Sequence, residues 1–346
     1  MRAQGAAASS APRLCGWLMP VTPFVLSVER GPRSRRIGRL ARTIATTALL
    51  VAVLVALQSL CSFAFAQQSA RYYPGKFVWF DLVTDDPAAL RQFYAAVFGW
   101  QFRTVGKPPA SYTLIENAGD SIGGMFYHER PAGASASARW LSLISVPDPA
   151  QSIRYVEQHG GKVIAPLTKI AGRGTHALLR DPQGAVFGVL KSASGDRPDT
   201  PVETGDFFWV DLLAADPAKA TAFYGGLAGY ETSDTEVSGG VKRVMLSSGG
   251  YARAGIVPLP PPVKQPGWLP YVLVDDVAAT LDKAAAAGGS VVVKPRADLL
   301  DGNLAVIADP RGGIFGIVRW DAETDSSGDQ STTSGATQDQ SKDGTK

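Results

Sequence analysis

Cysteine is nearly missing from this 346-residue chain. Cys15 and Cys61 both precede residue 67, so the rest of the chain can form no disulfide and no thiolate metal site. Core burial then has to supply its stability. Histidine is almost as scarce, with only His128, His159 and His176. An excess of positive charge is also absent once the first 66 residues are set aside. The chain has 34 Lys and Arg against 31 Asp and Glu, but eight of those arginines and a single acid lie in residues 1–66. Residues 67–346 hold 26 basic against 30 acidic side chains, a net charge of −4. Without a basic stripe, a nucleic-acid partner loses its electrostatic footprint.

The two ends read as appendages. Arg30, Arg33, Arg35, Arg36, Arg39 and Arg42 precede an apolar run from Ile44 to Leu57, and Ala64-Phe65-Ala66 places small residues where a signal peptidase reads. Residues 1–66 are expected to be a signal peptide cleaved before Gln67, giving a periplasmic or secreted protein. The alternative is an uncleaved inner-membrane anchor over residues 44–66, the protein's only membrane contact. Met19 offers a second start. Residues 321–346 are Ser, Thr, Gly, Gln and Asp without a large apolar residue, so a disordered tail is expected there.

Between the ends, the chain repeats itself. Phe77-Val-Trp79-Phe-Asp81, Asp86-Pro87, Phe93-Tyr94 and Gly99-Trp100 return 130 residues later as Phe207-Phe-Trp209-Val-Asp211, Asp216-Pro217, Phe223-Tyr224 and Gly229-Tyr230. Ten of the 24 aligned positions are identical, too many for shared composition to explain. Asp181-Pro182-Gln-Gly184 with Phe187-Gly188 echoes Asp309-Pro310-Arg-Gly312 with Phe315-Gly316, and closes each copy at an offset of 128. The chain is a tandem duplication, and its function has to account for two related pockets.

Each copy also divides in two. Phe77 to Thr84 is rich in β-formers, Asp86-Pro87 is a helix start, Leu90, Phe93, Tyr94 and Val97 share one helical face, and Gly99 ends it. Strands are predicted near 100–105, 110–117 and 121–128. The pattern restarts at Trp140, with Asp148-Pro149 opening a helix, Gly160-Gly161 stopping it, and strands near 162–166, 175–180 and 185–191. Every copy is thus two β-α-β-β-β modules. The predicted organisation is a short segment at 67–75, one domain at 76–191, a linker at 192–206 and a second domain at 207–320.

This arrangement resembles the vicinal oxygen chelate superfamily, the glyoxalase, bleomycin-resistance and dioxygenase type. There a strand, an Asp turn and a Phe-Tyr helix with a Gly-aromatic exit open the domain, and Asp-Pro-x-Gly before the last strand closes it. The resemblance covers about 240 of the 346 residues. It implies an α+β fold of tandem domains, each folding two modules into a U-shaped curled sheet, arranged as an internal pseudo-dimer in a monomeric chain. It also implies, for metal-dependent members, a divalent cation held by His and Glu that stabilises an enolate or activates dioxygen. At the corresponding positions this chain has Trp79 and Trp209, Leu141 and Leu269, and Gly188 and Gly316. None of these can replace imidazole or carboxylate, so no family-type metal site is expected.

Trp79 and Asp81, like Trp209 and Asp211, share a strand face because side chains two apart point the same way. They are candidate ligand-binding residues, an aromatic platform beside a carboxylate. The plain alternative is a structural acid bonded to backbone amides, with the indole as filler. An unpaired carboxylate there would be a candidate base, which makes Asp81 a catalytic candidate with His128 and His176. His128 closes a module and His176 lies on a late strand, and neither recurs in the second copy, where Leu304 matches His176; a solvated or core-satisfied histidine is the ordinary alternative. Arg173, between two glycines, could meet an anionic ligand or be a surface arginine. His159 reads as a helix-end residue, Trp140 and Trp268 as core closure, and Asp181 and Asp309 as turn residues.

Three functions are compatible with this pattern: a metal-free module that binds or sequesters a small molecule, as resistance proteins of the superfamily do; a metal-dependent lyase, isomerase or dioxygenase acting in the first copy; and an interaction scaffold with filled pockets. A scaffold has no reason to keep an open cavity of roughly 300 Å³ or more.

Overall fold

Asp86, Asp148 and Asp216 each precede a proline, and each carboxylate accepts an otherwise unsatisfied amide, from Ala89 at 3.1 Å, Ala150 at 2.9 Å and Lys219 at 3.1 Å. These caps fix where the helices start, and Gly99 and Gly229 stop two of them with φ of 74° and 69°, the left-handed region that glycine enters without steric cost. The computed structural model describes residues 70–320 apart from 107–111, 131–132, 134–136, 171, 238–240 and 262. The expected signal peptide or anchor and the expected tail lie outside the described residues.

The first copy runs β1 (Phe77–Thr84), α1 (Pro87–Phe98), β2 (Gln101–Val105), β3 (Tyr112–Asn117) and β4 (Asp120–Tyr127), then β5 (Ala138–Ser145), α2 (Pro149–Gln158), β6 (Lys162–Ile170), β7 (Gly174–Arg180) and β8 (Val186–Ser192). The second runs β9 (Phe207–Ala214), α3 (Pro217–Ala228), β10 (Glu231–Val237), β11 (Val241–Ser248), β12 (Tyr251–Pro258), β13 (Gly267–Leu273), α4 (Val277–Ala286), β14 (Ser290–Val293), β15 (Leu304–Ala308) and β16 (Ile314–Val318). Each copy makes its own eight-stranded sheet, in the orders β2-β3-β4-β1-β5-β8-β7-β6 and β10-β11-β12-β9-β13-β16-β15-β14. The two modules of a copy meet through antiparallel β1–β5 or β9–β13, while β1–β4 and β5–β8 are parallel. Among the described residues no helix is long and apolar enough to cross a membrane.

The helix side of the sheets is a single buried cluster that runs through both copies. Phe315 of the second copy lies against Phe93, Tyr94 and Phe98 of α1, and Phe187 of the first lies against Phe223 and Tyr224 of α3. Phe80 stacks on Phe207 at 3.9 Å. Two independent cores, as two domains would have, are not what forms on this side. β5 starts at Ala138, ahead of the predicted Trp140, because its pairing with β1 runs on to Thr84, and the Ala138 amide donates to the Arg311 carbonyl of the other copy at 2.9 Å.

A polar lock joins the same elements twice. The Tyr94 hydroxyl donates to Asp309 at 2.9 Å and accepts from Trp140 at 2.9 Å. In the mirrored set, Tyr224 donates to Asp181 at 3.1 Å and accepts from Trp268 at 3.0 Å. The predicted turn role of the two aspartates holds as well, since Asp181 accepts the amides of Gln183, Gly184 and Ala185, and Asp309 those of Arg311 and Gly313. Burial outweighs these bonds and pushes both carboxyl groups above their usual range, opposed by the backbone amides and the tyrosines. A carboxyl held more protonated in the folded than in the unfolded chain adds stability as pH falls through its raised value, and the gain is complete below the unfolded value of 3.8. The stability gap between the parent protein and Asp309→Asn is therefore expected to widen from pH 7 toward pH 4 in urea titrations, and a narrowing gap would contradict the assignment.

Candidate functional site

The face of each sheet turned away from the helices carries the predicted candidates. Trp79, Asp81 and Val83 alternate on β1 with the core residues Phe80 and Leu82. Asp81 is 1% exposed, and its carboxylate is fully engaged. Oδ1 accepts from Trp79 Nε1 at 3.0 Å and from the Tyr112 hydroxyl at 2.7 Å, while Oδ2 takes a 2.5 Å contact from Arg173 Nη2. The Tyr112 hydroxyl also accepts from Trp79 Nε1 at 2.9 Å. The Arg173 guanidinium sits over the rings of Trp79, Tyr112 and Phe126 at 5.4, 5.6 and 5.8 Å.

These contacts revise two sequence readings. Arg173 is no surface arginine but is 6% exposed and the partner of Asp81. Asp81 bonds side chains rather than backbone amides, and the premise of an unpaired carboxylate, on which its role as a base rested, is not met. His176 does come to the same face, since it pairs across β7–β8 with Leu190, and it is 8% exposed with Nδ1 lacking a hydrogen bond among the described residues. Burial, then Arg173, lowers its pKa, with Asp81 pulling the other way. His128 is not brought in: it is exposed just beyond β4, where its amide donates to the Thr84 carbonyl at 2.9 Å. His159 ends α2, stacked on Tyr155 at 3.9 Å.

The second copy builds the same set from different positions. Asp211 is 2% exposed, accepts from Trp209 Nε1 at 2.9 Å and pairs with Arg243 Nη2 at 2.9 Å. Burial and then the Asp211 carboxylate hold the Tyr271 phenol well above its usual pKa, as burial and Asp81 do for Tyr112. In strand register Arg243 occupies the place of Tyr112, and Tyr271 the place of Leu143. An Asp, a Trp, an Arg and a Tyr thus line both cups, but the Arg and the Tyr come from different positions: Tyr112 on β3 and Arg173 just before β7 in the first copy, Arg243 on β11 and Tyr271 on β13 in the second. Sequence reasoning missed Tyr112, Arg243 and Tyr271 because only the register reveals them. Every member of a set comes from one copy.

The glycines of this face make room for the fillers. A side chain at Gly188 would run into Leu143, and one at Gly316 into the Tyr271 ring. These are the positions where a ligand carboxylate would be required. Among the described residues no three His, Cys, Asp or Glu side chains cluster as a metal site. The donor set does not fit a divalent cation, since Asp81 and Asp211 are already engaged by guanidinium groups that would repel one.

Above the first quartet the face stays open. A cavity of about 440 Å³ is walled by Trp79, Tyr112, Val105, Leu114, Ile170 and Leu190, with Arg103 and the linker residues Ser194 to Arg197 also lining it. Trp209 lines a different space, a groove of about 430 Å³ shared with Phe77 and Phe80 of the first copy and with Asp199 to Val202 of the linker. The linker is fixed across both, because Asp196 accepts the Tyr73 amide at 2.7 Å and Asp199 pairs with Lys76 and Arg253 at 2.9 and 2.6 Å.

Paired β-α-β-β-β modules with a ligand-sized cup define a duplicated member of the glyoxalase class. Residues 76–189 match the family described as the glyoxalase, bleomycin resistance protein and dioxygenase superfamily, and residues 208–318 match a glyoxalase-like domain. The chain belongs to this superfamily. CFP32 of Mycobacterium tuberculosis, assigned provisionally as a glyoxylase, is 31% identical over 72% of this chain and 97% of its own length. The anthracycline biosynthesis protein DnrV of Streptomyces peucetius is 31% identical over 72% and 94%. Among solved structures, the 2,3-dioxygenase LapB of Pseudomonas sp. KL28 superposes with a TM-score of 0.51 at 12% identity, covering 72% of this chain and 94% of LapB. That likeness concerns the fold alone.

Proposed function

We propose that this protein is an exported, metal-free binder of a small, largely apolar planar molecule, held in the cup of the first copy. The observation that carries the reading is the Trp79–Asp81–Tyr112–Arg173 set. Its charges neutralise one another where metal-dependent members of the family would hold a cation, and about 440 Å³ of mostly apolar space remains above it, more than the roughly 300 Å³ lower end of ligand pockets. The Trp79 ring supplies a stacking surface, and Arg103 and the linker polar groups supply orientation. DnrV, by its name, works in anthracycline biosynthesis, and an anthracycline is a planar polycyclic aromatic compound; that supports this ligand class. Export rests on the arginine-rich, apolar leader, and a mature protein beginning at Gln67 is the expected finding.

The test uses daunorubicin as probe. At 100 times its Kd it should stabilise the mature protein by about 2.7 kcal/mol. The shift should survive chelation, vanish in Trp79→Ala and persist in Trp209→Ala. Stoichiometric Mn, Fe, Ni or Zn that chelation removes together with binding would overturn the metal-free reading. A second reading, catalysis in the first copy, is favoured by one observation: His176 is buried with a lowered pKa beside Arg173 and Asp81, a neutral imidazole able to accept a proton. His176→Leu, which restores the residue of the second copy, would abolish turnover under that reading while leaving probe binding in place.

A further inference from the structure

We infer that the junction between the copies carries a second binding site, for an amphipathic monocarboxylate, distinct from either cup. A groove of about 500 Å³ opens where β5 and β13 begin. Its walls include equivalent positions of the duplication at the offset of 128 that relates the closing motifs: Arg139 with Gly267, Trp140 with Trp268, and Val186 with Ile314. The site lies on the pseudo-twofold relation of the repeats, and neither copy alone could form it.

The scaffold is symmetric and the chemistry is not. The first copy contributes Arg139 and Arg180, whose counterparts are Gly267 and Ala308. Arg139 lies two residues before Leu141 on β5, and Arg180 two after Leu178 on β7, so both point to the face away from the helices, flanking Val186 of the intervening β8. Both are exposed, and among the described residues neither side chain forms an ion pair or hydrogen bond. The second copy contributes an apolar wall, Leu213, Leu269, Val263 and Ile314, of which Val263 is 43% and Ile314 46% exposed. Among the described residues no acidic side chain lines the groove. Two uncommitted guanidiniums beside open hydrocarbon match a ligand with one carboxylate, which an arginine fork receives bidentately, and an apolar body.

Decanoate, below its micelle concentration, is the probe, with decanol as the neutral control, both titrated calorimetrically into the mature protein. One decanoate per chain is expected, at least tenfold tighter than decanol and weakening as salt rises. The double variant Arg139→Ala/Arg180→Ala and, separately, Ile314→Asp should each lose at least tenfold, with thermal midpoints unchanged because all three side chains are exposed. Trp79→Ala should bind decanoate normally, which separates this site from the cup of the proposed function. The inference fails if decanoate does not bind, if decanol binds as well, if the double arginine variant binds like the parent protein, or if Trp79→Ala alone abolishes binding.

Discussion

Arg173→Met is expected to cost about 3–5 kcal/mol of folding stability, because it strands the Asp81 carboxylate in a buried site without its counter-charge. Adding Asp81→Asn should return most of that loss. The amide oxygen can still accept from Trp79 and Tyr112, and no uncompensated charge remains. Urea unfolding of the two single variants and the double variant measures the coupling directly. A loss below about 1 kcal/mol in Arg173→Met, or a double variant no more stable than the single, would show that the pair is incidental. The equivalent change in the second copy, Arg243→Met, should cost less, since the Arg243 side chain is 21% exposed against 3% for Arg173 and water can screen what is left. His176 gives an independent readout. Burial remains in Arg173→Met while the guanidinium that also lowers its pKa is gone, so its imidazole should titrate at higher pH.

The same pair shows what the sequence disclosed and what it withheld. Module order, helix starts and the shared face of Trp79 and Asp81 follow from local rules: a capping carboxylate before proline, an apolar face at helical spacing, the two-residue alternation of a strand. These signals lie within about ten residues of one another and are visible in a linear text. The partner of Asp81 is 92 residues away, an arginine between two glycines that reads only as a contact for an anionic ligand or as a surface residue. The exchange of Tyr112 for Arg243 and of Leu143 for Tyr271 is harder still, because aligning the repeats makes each look like an unrelated substitution. It acquires meaning only when the sheet brings the strands together and the same four side chains reappear in both cups. The fillers were legible by type, since indoles stand where ligands would be; the charge balance that accompanies them was not.

The lock between the copies sets the other large effect. Residues 70–192 expressed alone should not persist as a folded monomer, because Phe93, Tyr94 and Phe98 lose Phe315 and Tyr94 loses Asp309. The repeat equivalence supplies a substitute partner. Tyr94 and Asp181 are the counterparts of Tyr224 and Asp309, so two such fragments can close the lock on each other, and folding should depend on concentration. Sedimentation with thermal unfolding at several dilutions would show it, and a cooperative, concentration-independent monomer would refute it. In the intact chain Asp309→Ala removes the acceptor of the buried Gly313 amide, the half-buried Arg311 amide and the Tyr94 hydroxyl, an expected loss of about 3 kcal/mol at roughly 1 kcal/mol each. Asp181→Ala should cost about as much, because its turn and Tyr224 are arranged the same way. If both losses appear in one unfolding transition that no longer separates the halves, the duplication has fused two repeats into one cooperative unit, and the groove between them is as permanent a feature as either cup.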